Sequence, residues 1–555
     1  MPTRACPLSW LRLFFAACRL VSIAAVVALA ACADRGGVSG GEAESVADTG
    51  HLFARGIDEI TDLYIEPISG QKLVVTGAIN LTKLDDKLDV GLTANQLTLT
   101  YNGSVISTAT VSPEIGSTDG GQILASLIAA ARKYDPAVAA MREDTIDKAV
   151  FDGMTSSLDR FSRYSPPDEA RDQRAARDGF GGIGVSFESN SEDFRITAVT
   201  EGSPAAHAGL RPGDRVVAVD GQPTLGRRPA EVIHMLRGPV SSTVTVTIAR
   251  DGVEGTHDYK IERMLVVLPT VTASRDGTVA IFRIASFNQS TTQLLTESIQ
   301  REEREAGGRL SGIVLDLRGN PGGLLDQAVS LADLFILKGP IIATVGRHPA
   351  SHQYFAASGH AIAPDIPIVV LVNGGSASAS EIVAAALQDV GRAVVIGSSS
   401  YGKGTVQTVM RLPNDGELTL TWARLVTPSG YYLQAHGVVP TLCTAEWGSD
   451  DDRSLDAALH RTSDATPDGV SASAPRASLS DAAWSVLRHS CPARPGSPAL
   501  DVKIAERVLG DPVRYGEAVS AIHPPSAPAL HSGEAPPVAA LTAVSGSLSS
   551  KPRTP

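Results

Sequence analysis

Two short, almost continuously apolar runs, GIVLDL at 312–317 and IPIVVLV at 366–372, constrain the fold of this chain more than any other feature. Runs without polar alternation are typical of strands that are buried on both faces of a sheet. Between 265 and 445 these runs alternate with helical patterns, which predicts an α/β core. Because the chain has 555 residues, it is too long for a single core, and we expect several domains.

Three serines, Ser376, Ser378 and Ser380, follow the second apolar run in the sequence NGGSASASEIVAAALQD. One interpretation is structural, because Ser378 and Glu381 fit the S-x-x-E capping box of a helix that begins here. The other is chemical, because the free N–H groups and the dipole at a helix N-terminus favour a developing oxyanion beside a serine nucleophile. This segment alone leaves both interpretations open.

A serine nucleophile needs a base, and no histidine lies near this segment in the sequence. Lys403, in YGKGTVQ, follows after one predicted helix and one predicted strand, so the chain can return there to the serine. A lysine acts as a base only when burial lowers its pKa, and Gly402 and Gly404 would allow close backbone packing. Gln407 lies four residues on, where its amide could orient the amine. The alternative is a solvated surface lysine.

The sequence LDLRGNPGG at 315–323 is an apolar strand followed by a glycine-rich loop. Backbone N–H groups in such a loop can point into a pocket and stabilise an oxyanion. Taken alone, the motif is equally compatible with an ordinary turn at the end of a strand.

Residues 179–264 combine short alternating strands, glycine turns and two short helices, which predicts a small β-rich domain. Its central sequence, SPAAHAGLRPGDRVVAVDG, resembles a PDZ domain. PDZ domains bind a peptide as an added strand and hold its terminal carboxylate with backbone N–H groups of a glycine-containing loop. The resemblance implies that Gly181, Gly182, Ile183 and Gly184 form this loop, and the alternative is a glycine-rich hairpin without a ligand.

The three motifs LDLRGNPGG, VLVNGGSASASEIVAAALQD and YGKGTVQ, in this order, resemble the C-terminal processing peptidases, also called tail-specific proteases. These are secreted serine peptidases with a Ser-Lys dyad and an inserted PDZ domain. The resemblance covers residues 51–82 and 143–445. It implies a multidomain α/β fold, with a PDZ domain inserted between an N-terminal helical segment and a protease core of the crotonase or ClpP type.

The resemblance also implies roles for individual residues. Ser378 would be the nucleophile, Lys403 the general base, and Gln407 the residue that orients the lysine. The oxyanion donors would be the backbone N–H groups of Ala379 and of Gly322 or Gly323. Ser376 and Ser380 would shape the turn, and Arg237 would belong to a regulatory contact between the PDZ domain and the core.

The N-terminus carries the pattern of an export signal. Three arginines precede the charge-free run VSIAAVVALAAC, which is too short for a comfortable membrane span. The ending Leu29–Cys32 resembles the cleavage site of a bacterial lipoprotein, with residues 1–31 removed and Cys32 lipidated. This predicts a periplasmic protein anchored to a membrane, and Ala33 favours the outer membrane over the inner one. An ordinary signal peptide that contains a cysteine is the alternative.

The remaining segments complete a predicted domain order. A flexible tether (32–50) precedes an N-terminal helical region (51–165) with a β-rich insert at about 83–142, which the peptidase family does not usually contain. Residues 72–112 as a whole predict a small β element, with a turn at Asn102-Gly103. The PDZ domain spans 170–264, a partly helical extension spans 446–522, and 523–555 reads as disordered.

Cys443 and Cys491 are the cysteines that remain after export and lipidation. Two cysteines in an oxidising compartment can form a disulfide or stay as free thiols, and the sequence leaves both open.

The predicted function is that of an exported, membrane-anchored endopeptidase that reads C-terminal tails and cleaves through an acyl-enzyme. We expect no metal or nucleotide cofactor, since the corresponding motifs are missing. The expected partners are protein substrates with accessible apolar C-termini and the membrane through Cys32; an activator or adaptor protein and a homo-oligomer stay open. A net charge of −12 argues against nucleic acid. The alternatives are an inactive peptide-binding scaffold of the same fold and a crotonase-like acyl-transfer enzyme.

Overall fold

A computed structural model of the protein describes residues 39–190, 193–445, 476–494 and 498–522. No helix in this part of the chain combines the length and the apolar character that a membrane span needs. The described residues divide into two compact units, of which the first comprises 39–62, 67–166 and 410–418 and the second the remainder. The predicted signal peptide and Cys32 lie outside the described residues, as does the predicted disordered tail.

The first unit is mainly helical, with a three-stranded antiparallel sheet of order β1-β2-β3. Its helices are α1 (Ser39–Leu63), α2 (Gly70–Ile79), α3 (Ser117–Tyr134), α4 (Pro136–Ala139) and α5 (Glu143–Thr155). Its strands are β1 (Leu88–Thr93), β2 (Gln96–Tyr101), β3 (Ser104–Thr110) and β4 (Arg163–Ser165). The predicted turn between β2 and β3 is confirmed, since Asn102 and Gly103 both have positive φ.

Two expectations for this unit differ from the structure. KLVVTGAI was expected to be part of the β element but forms α2, because Leu73, Val74, Gly77 and Ala78 are buried together on one helical face. The Ser69 side chain caps this helix by accepting a hydrogen bond from the Lys72 N–H. Residues 39–50, expected within the flexible tether, belong to α1, whose helical pattern extends further towards the N-terminus than the glycines suggested.

The second unit begins with α6 (Pro167–Asp178) and the predicted PDZ-like domain. The strands of this domain are β5 (Phe180–Gly182), β6 (Val185–Asn190), β7 (Asp193–Val199), β8 (Arg215–Val219), β9 (Gln222–Pro223), β10 (Thr243–Ala249), β11 (Thr256–Glu262) and β12 (Met264–Val266). Its helices are α7 (Pro204–Ala208) and α8 (Pro229–Leu236). The main sheet has the order β11-β10-β8-β7-β6, so β6 lies at an edge. Alternate residues of β10 are buried, which matches the period of two in the sequence.

The core contains a six-stranded sheet of order β13-β14-β15-β18-β19-β22, which is parallel from β14 onward. Its strands are β13 (Val271–Asp276), β14 (Val279–Ile284), β15 (Gly312–Asp316), β18 (Ile368–Val372), β19 (Val394–Gly397) and β22 (Leu442–Cys443). The two apolar runs form the central strands β15 and β18, in which every residue is buried. The helices α9 (Thr291–Glu305), α10 (Leu325–Asp333) and α11 (Ala379–Asp389) contribute to the hydrophobic cluster on one face.

A second sheet of the core has the order β17-β16-β21-β20. Its strands are β16 (Pro340–Val345), β17 (Gln353–Ala356), β20 (Thr405–Arg411) and β21 (Glu417–Val426). Strand β20 begins two residues after Lys403, so this sheet carries the loop that holds the predicted base.

The C-terminal extension is a structural part of the core. It contains α12 (Asp481–His489), α13 (Pro498–Gly510) and α14 (Pro512–Ile522). Ile504 and Val508 of α13 pack with Val369 and Ile396 on the face of the parallel sheet opposite α11. The strands are buried on both sides because the extension covers the second face.

Cys443, at the end of β22, forms a disulfide with Cys491, directly after α12. This settles the two alternatives that the sequence left open for these cysteines. Since Cys443 belongs to the parallel sheet, the disulfide ties α12 covalently to the core.

Candidate active site

Ser378 lies in the turn between β18 and α11, immediately before the first residue of the helix. Its backbone has φ of +55° and ψ of −114°, a strained conformation for a residue with a side chain. Strain of this kind is concentrated at functional sites. The side chain is half-buried, whereas Ser376 and Ser380 are fully buried.

Hydrogen bonds occupy the hydroxyls of the two neighbouring serines. The Ser376 hydroxyl donates to the Leu317 carbonyl over 2.8 Å and accepts from the Asn373 N–H over 3.0 Å. The Ser380 hydroxyl donates to the Asn320 carbonyl over 2.9 Å. Both serines therefore tie the turn at Ser378 to the loop after β15.

The loop after β15 packs directly against Ser378. A Cβ added to Gly322, whose φ is +106°, would lie 2.9 Å from the Ser378 Cβ and 3.1 Å from the Ala379 nitrogen. The Ala377 N–H donates to the Asn320 carbonyl over 3.0 Å, which joins the two turns. The predicted oxyanion loop and the predicted nucleophile thus lie side by side.

The two candidate glycine donors differ. The Gly322 N–H donates to the Asn320 side-chain oxygen over 2.8 Å, so this donor is already in use. Gly323 has φ of +148°, and its backbone forms a parallel bridge with Phe287 at the end of the loop. Ala379 is the first residue of α11, where N–H groups have no partner within the helix.

Glu381 joins the serine turn to the lysine loop. One of its carboxylate oxygens accepts from the Ser378 N–H over 2.8 Å and from the Lys403 N–H over 2.9 Å. The other accepts from the Ser400 hydroxyl over 2.5 Å and from the Gly402 N–H over 2.6 Å. Glu381 is fully buried, and this burial raises its pKa although the four hydrogen bonds oppose the shift.

Sequence reasoning assigned Glu381 only to the capping box. Its bond from the Ser378 N–H is one of the two reciprocal bonds of that motif. The contacts to 400–403 come from the return of the chain after β19, and no local pattern indicates them. The signal that could have found them is the acidic residue itself, since a carboxylate on an otherwise apolar helix needs buried donors.

Lys403 lies in the loop before β20 and is half-buried. Its two glycine neighbours are needed for close packing. Gly402 has φ of +87°, and a Cβ on Gly404 would lie 1.8 Å from the Gln434 nitrogen. The loop therefore passes directly against the chain at 433–435, as the sequence predicted for these glycines.

Gln407 lies on β20, and its amide nitrogen donates to the Thr405 hydroxyl over 3.0 Å and to the Thr421 hydroxyl over 3.1 Å. These bonds fix the orientation of the amide. The amide oxygen is the part of the side chain that could accept a hydrogen bond from a lysine amine. The role of Gln407 in orienting Lys403 stays a prediction.

The predicted carboxylate loop is fixed by its carbonyl groups. The Gly181 carbonyl accepts from Gly238, the Ile183 carbonyl from Ala205, and the Gly184 carbonyl from Thr200, over 2.9 to 3.0 Å. The loop leads into β6, whose outer edge is unpaired within the sheet. This is the arrangement that an added peptide strand requires.

Arg237 follows α8 and contacts residues before the core rather than within it. Its guanidinium pairs with Asp172 of α6 over 3.0 Å and lies 4.1 Å from the centre of the Phe180 ring. The end of α6 is bound to the core, because the Gln289 N–H donates to the Arg177 carbonyl. The role of Arg237 in a contact between the PDZ domain and the core stays a prediction, since the partners seen here are Asp172 and Phe180.

A cavity of about 440 Å³ lies beside the predicted carboxylate loop. Arg171 and Arg174 of α6, His234 of α8, and Arg237 line it together with Gly181. Three arginines line this cavity, and two of them also pair with carboxylates: Arg171 with Asp168 and Arg237 with Asp172.

The chain matches two known protein families and several known proteins. The model of peptidase family S41 matches residues 278–443, and that of the PDZ domain matches 195–250. A carboxy-terminal-processing protease of Bartonella bacilliformis is 40% identical over 299 residues, which cover 54% of this chain and 69% of that protein. A probable CtpA-like serine protease of Staphylococcus aureus is 35% identical over 301 residues, covering 54% and 60%.

Among solved structures, a photosystem II D1 C-terminal processing protease is 28% identical to this chain. The match covers 55% of this chain and 85% of the other, with a TM-score of 0.32.

Proposed function

This chain belongs to peptidase family S41 and is a serine-type peptidase with a PDZ domain, and we propose that it is an exported endopeptidase that cleaves proteins recognised by their C-terminal tails. The observation that carries the catalytic part is the shared Glu381 carboxylate. One oxygen atom of this carboxylate accepts a hydrogen bond from the Ser378 N–H and another from the Lys403 N–H, so it holds the two backbones next to each other.

In the proposed reaction, the Ser378 hydroxyl attacks the scissile carbonyl and transfers its proton to the neutral Lys403 amine. The N–H groups of Ala379 and Gly323 stabilise the tetrahedral oxyanion; Gly323 is favoured over Gly322 because the latter N–H is engaged by Asn320. The lysine then protonates the leaving amine. Water hydrolyses the acyl-enzyme, and the lysine again takes and returns the proton.

Gln407 is proposed to orient Lys403 through its amide oxygen. The support is the fixed amide nitrogen, which two threonine hydroxyls hold in place. A fixed acceptor beside the amine would reduce the number of lysine rotamers that compete with the productive one.

Substrate tails are proposed to bind along β6, with the terminal carboxylate at Gly181–Gly184. The unpaired edge of β6 supports strand addition, and the arginines of the adjoining cavity support recognition of an anionic end group. Arg237 would couple this event to the core through α6.

The catalytic proposal is tested with purified protein lacking residues 1–32 and an unfolded reporter with an apolar C-terminal tail. We expect cleavage by the wild type, none by Ser378→Ala or Lys403→Ala, and unchanged cleavage by the exposed control Lys338→Ala. Cleavage should fall when the tail ends in an amide. Tail binding by the wild type without any cleavage would favour the alternative, an inactive peptide-binding scaffold.

Membrane anchoring is proposed from the sequence at Leu29–Cys32. In cells, a labelled fatty acid should be incorporated into the wild type and not into Cys32→Ser. Incorporation into both would contradict lipidation at this cysteine, and fractionation of the labelled protein would distinguish the outer membrane from the inner one.

A further inference from the structure

The C-terminal extension contacts the loops on both sides of Ser378. A Cβ added to Gly374, in the turn that leads to the serine, would lie 2.7 Å from the Ala493 carbonyl oxygen. Arg488 of α12 donates to the Ser400 carbonyl over 2.9 Å and also to the His436 carbonyl. Ser400 is the third residue before Lys403, so α12 directly contacts the segment that carries the proposed base.

Ser400 contacts both Arg488 and Glu381. Its hydroxyl donates to Glu381, and it accepts from the Val438 N–H over 2.8 Å. Its carbonyl oxygen accepts from Arg488. One residue thus connects the guanidinium to the carboxylate that binds the backbones of Ser378 and Lys403.

The side chains of Arg488, Ser400 and Glu381 converge at Gly437. A Cβ on this glycine, whose φ is +61°, would lie 2.7 Å from Arg488 Nη1, 2.7 Å from Ser400 Oγ and 3.1 Å from Glu381 Oε1. A buried carboxylate and a partly buried guanidinium therefore face the same small space. Burial lowers the pKa of Arg488, while the nearby Glu381 carboxylate opposes this shift.

The position of Arg488 depends on how α12 is held. Trp484 of the same helix is buried, and its ring lies 4.7 Å from that of His436 and 4.7 Å from that of Tyr431. After the helix, Cys491 is bonded to Cys443 of the parallel sheet. The aromatic contacts hold the buried face of α12, and the disulfide holds the chain at its C-terminal end.

We infer that Arg488 is a positioning residue for the Ser378–Lys403 site and that the Cys443–Cys491 disulfide holds α12 where Arg488 reaches Ser400. This inference rests on the proposed Ser-Lys function, which it extends to the C-terminal segment. Arg488 acts through Ser400 and Glu381 and does not contact the reacting atoms.

Arginine suits this position because its planar guanidinium binds two carbonyl oxygens at once, whereas a lysine ammonium is a single point charge. The side chain also lines a cavity of about 300 Å³ together with Asn373, Ser400 and Tyr401. An alanine at this position would enlarge the cavity, and water would replace a fixed contact to the lysine segment.

The test compares Arg488→Ala, Arg488→Lys and Cys443→Ser/Cys491→Ser in the chain lacking residues 1–32. Arg514→Ala is the matched control, since Arg514 pairs with Asp511 in the same extension but away from the catalytic loops. The readouts are kcat and KM on the apolar-tailed reporter, the rate at which a fluorophosphonate labels Ser378, and amide hydrogen exchange at 400–404.

For Arg488→Ala we expect kcat and the labelling rate to fall about tenfold to a hundredfold, the range expected for misplaced catalytic groups. KM should stay unchanged, and exchange at 400–404 should become faster. Arg488→Lys should recover part of the rate, and Arg514→Ala should match the wild type. The disulfide variant should also have a lower kcat. Arg488→Ala should lower kcat by a smaller factor in the disulfide variant than in the wild type.

Wild-type kcat in folded Arg488→Ala would overturn the inference while leaving the proposed function intact. Should Arg488→Ala fail to fold, Arg488→Lys and reduction of the folded wild type with dithiothreitol replace it, and unchanged kcat in both would overturn the inference. A wild type that neither cleaves nor labels at Ser378 would overturn the proposed function and this inference together. Labelling without cleavage still tests Arg488 through the labelling rate.

Discussion

Replacing Glu381 with glutamine probes the centre of the site while almost preserving its shape. The carboxylate accepts four hydrogen bonds, two from Ser378 and Lys403 on one oxygen and two from Ser400 and Gly402 on the other. An amide has one oxygen and one NH2 group, so it can satisfy only one of these pairs.

The better orientation keeps the amide oxygen towards Ser378 and Lys403. The NH2 group then faces Ser400, whose hydroxyl can turn to accept, and Gly402, whose N–H cannot. At least one buried donor, the Gly402 N–H, is left without a partner, which costs about 1–3 kcal/mol. Glu381→Gln should therefore lower the free energy of unfolding by this amount, and displacement of the Gly402 segment should lower kcat about tenfold or more.

Urea unfolding and kcat on the reporter measure the two effects. Glu302→Gln is the control, because Glu302 is also a buried helical carboxylate, pairs with Arg275, and makes none of the contacts to the Ser378 and Lys403 segments described above. It should lose stability but keep kcat. Wild-type stability and kcat in Glu381→Gln would refute the reasoning, since they would show that the four donors do not require a carboxylate.

Three further predictions concern other parts of the chain. Burial raises the pKa of Asp147 from 3.8 to about 6, so ionisation of this carboxyl destabilises the fold as pH rises through this range. Asp147→Asn should therefore raise the free energy of unfolding by up to about 3 kcal/mol at pH 7.5 and leave it unchanged below pH 4, as measured by urea unfolding. Gly322→Ala should abolish cleavage with little loss of circular dichroism signal, because the added Cβ meets Ser378. Asp501→Ala, which removes a buried partner of Arg318, should cost about 3–5 kcal/mol in the same unfolding assay; a wild-type value in any of these assays would contradict the corresponding argument.

The sequence was most informative where the pattern is local. Apolar runs predict buried strands, and β15 and β18 lie where the two runs predicted them. The segment KLVVTGAI shows the opposite case, because its β-branched residues favour a strand while its buried positions follow a helical face. Packing against the neighbouring helices decided the outcome, and one segment does not contain that information.

Long-range contacts account for what the sequence left out. Glu381 is recognisable as a capping residue, but its three partners at 400–403 depend on where the chain returns after β19. The extension was predicted to be partly helical, but its sequence did not indicate what its helices pack against. The buried strands themselves imply a second covering layer, and only the fold shows that α13 and α14 supply it.

The charges around Lys403 pose a problem that this arrangement addresses. A carboxylate beside a lysine stabilises the ammonium form and raises the lysine pKa, which opposes its use as a general base. Glu381 directs its oxygen atoms at four N–H and O–H donors, and the Arg488 cation faces the same space. We expect both features to reduce the negative potential at the lysine. In the proposed Ser-Lys mechanism, we therefore expect the Glu381 carboxylate to align the Ser378 and Lys403 segments with less stabilisation of the lysine ammonium, which would link the C-terminal helix to the proposed chemistry.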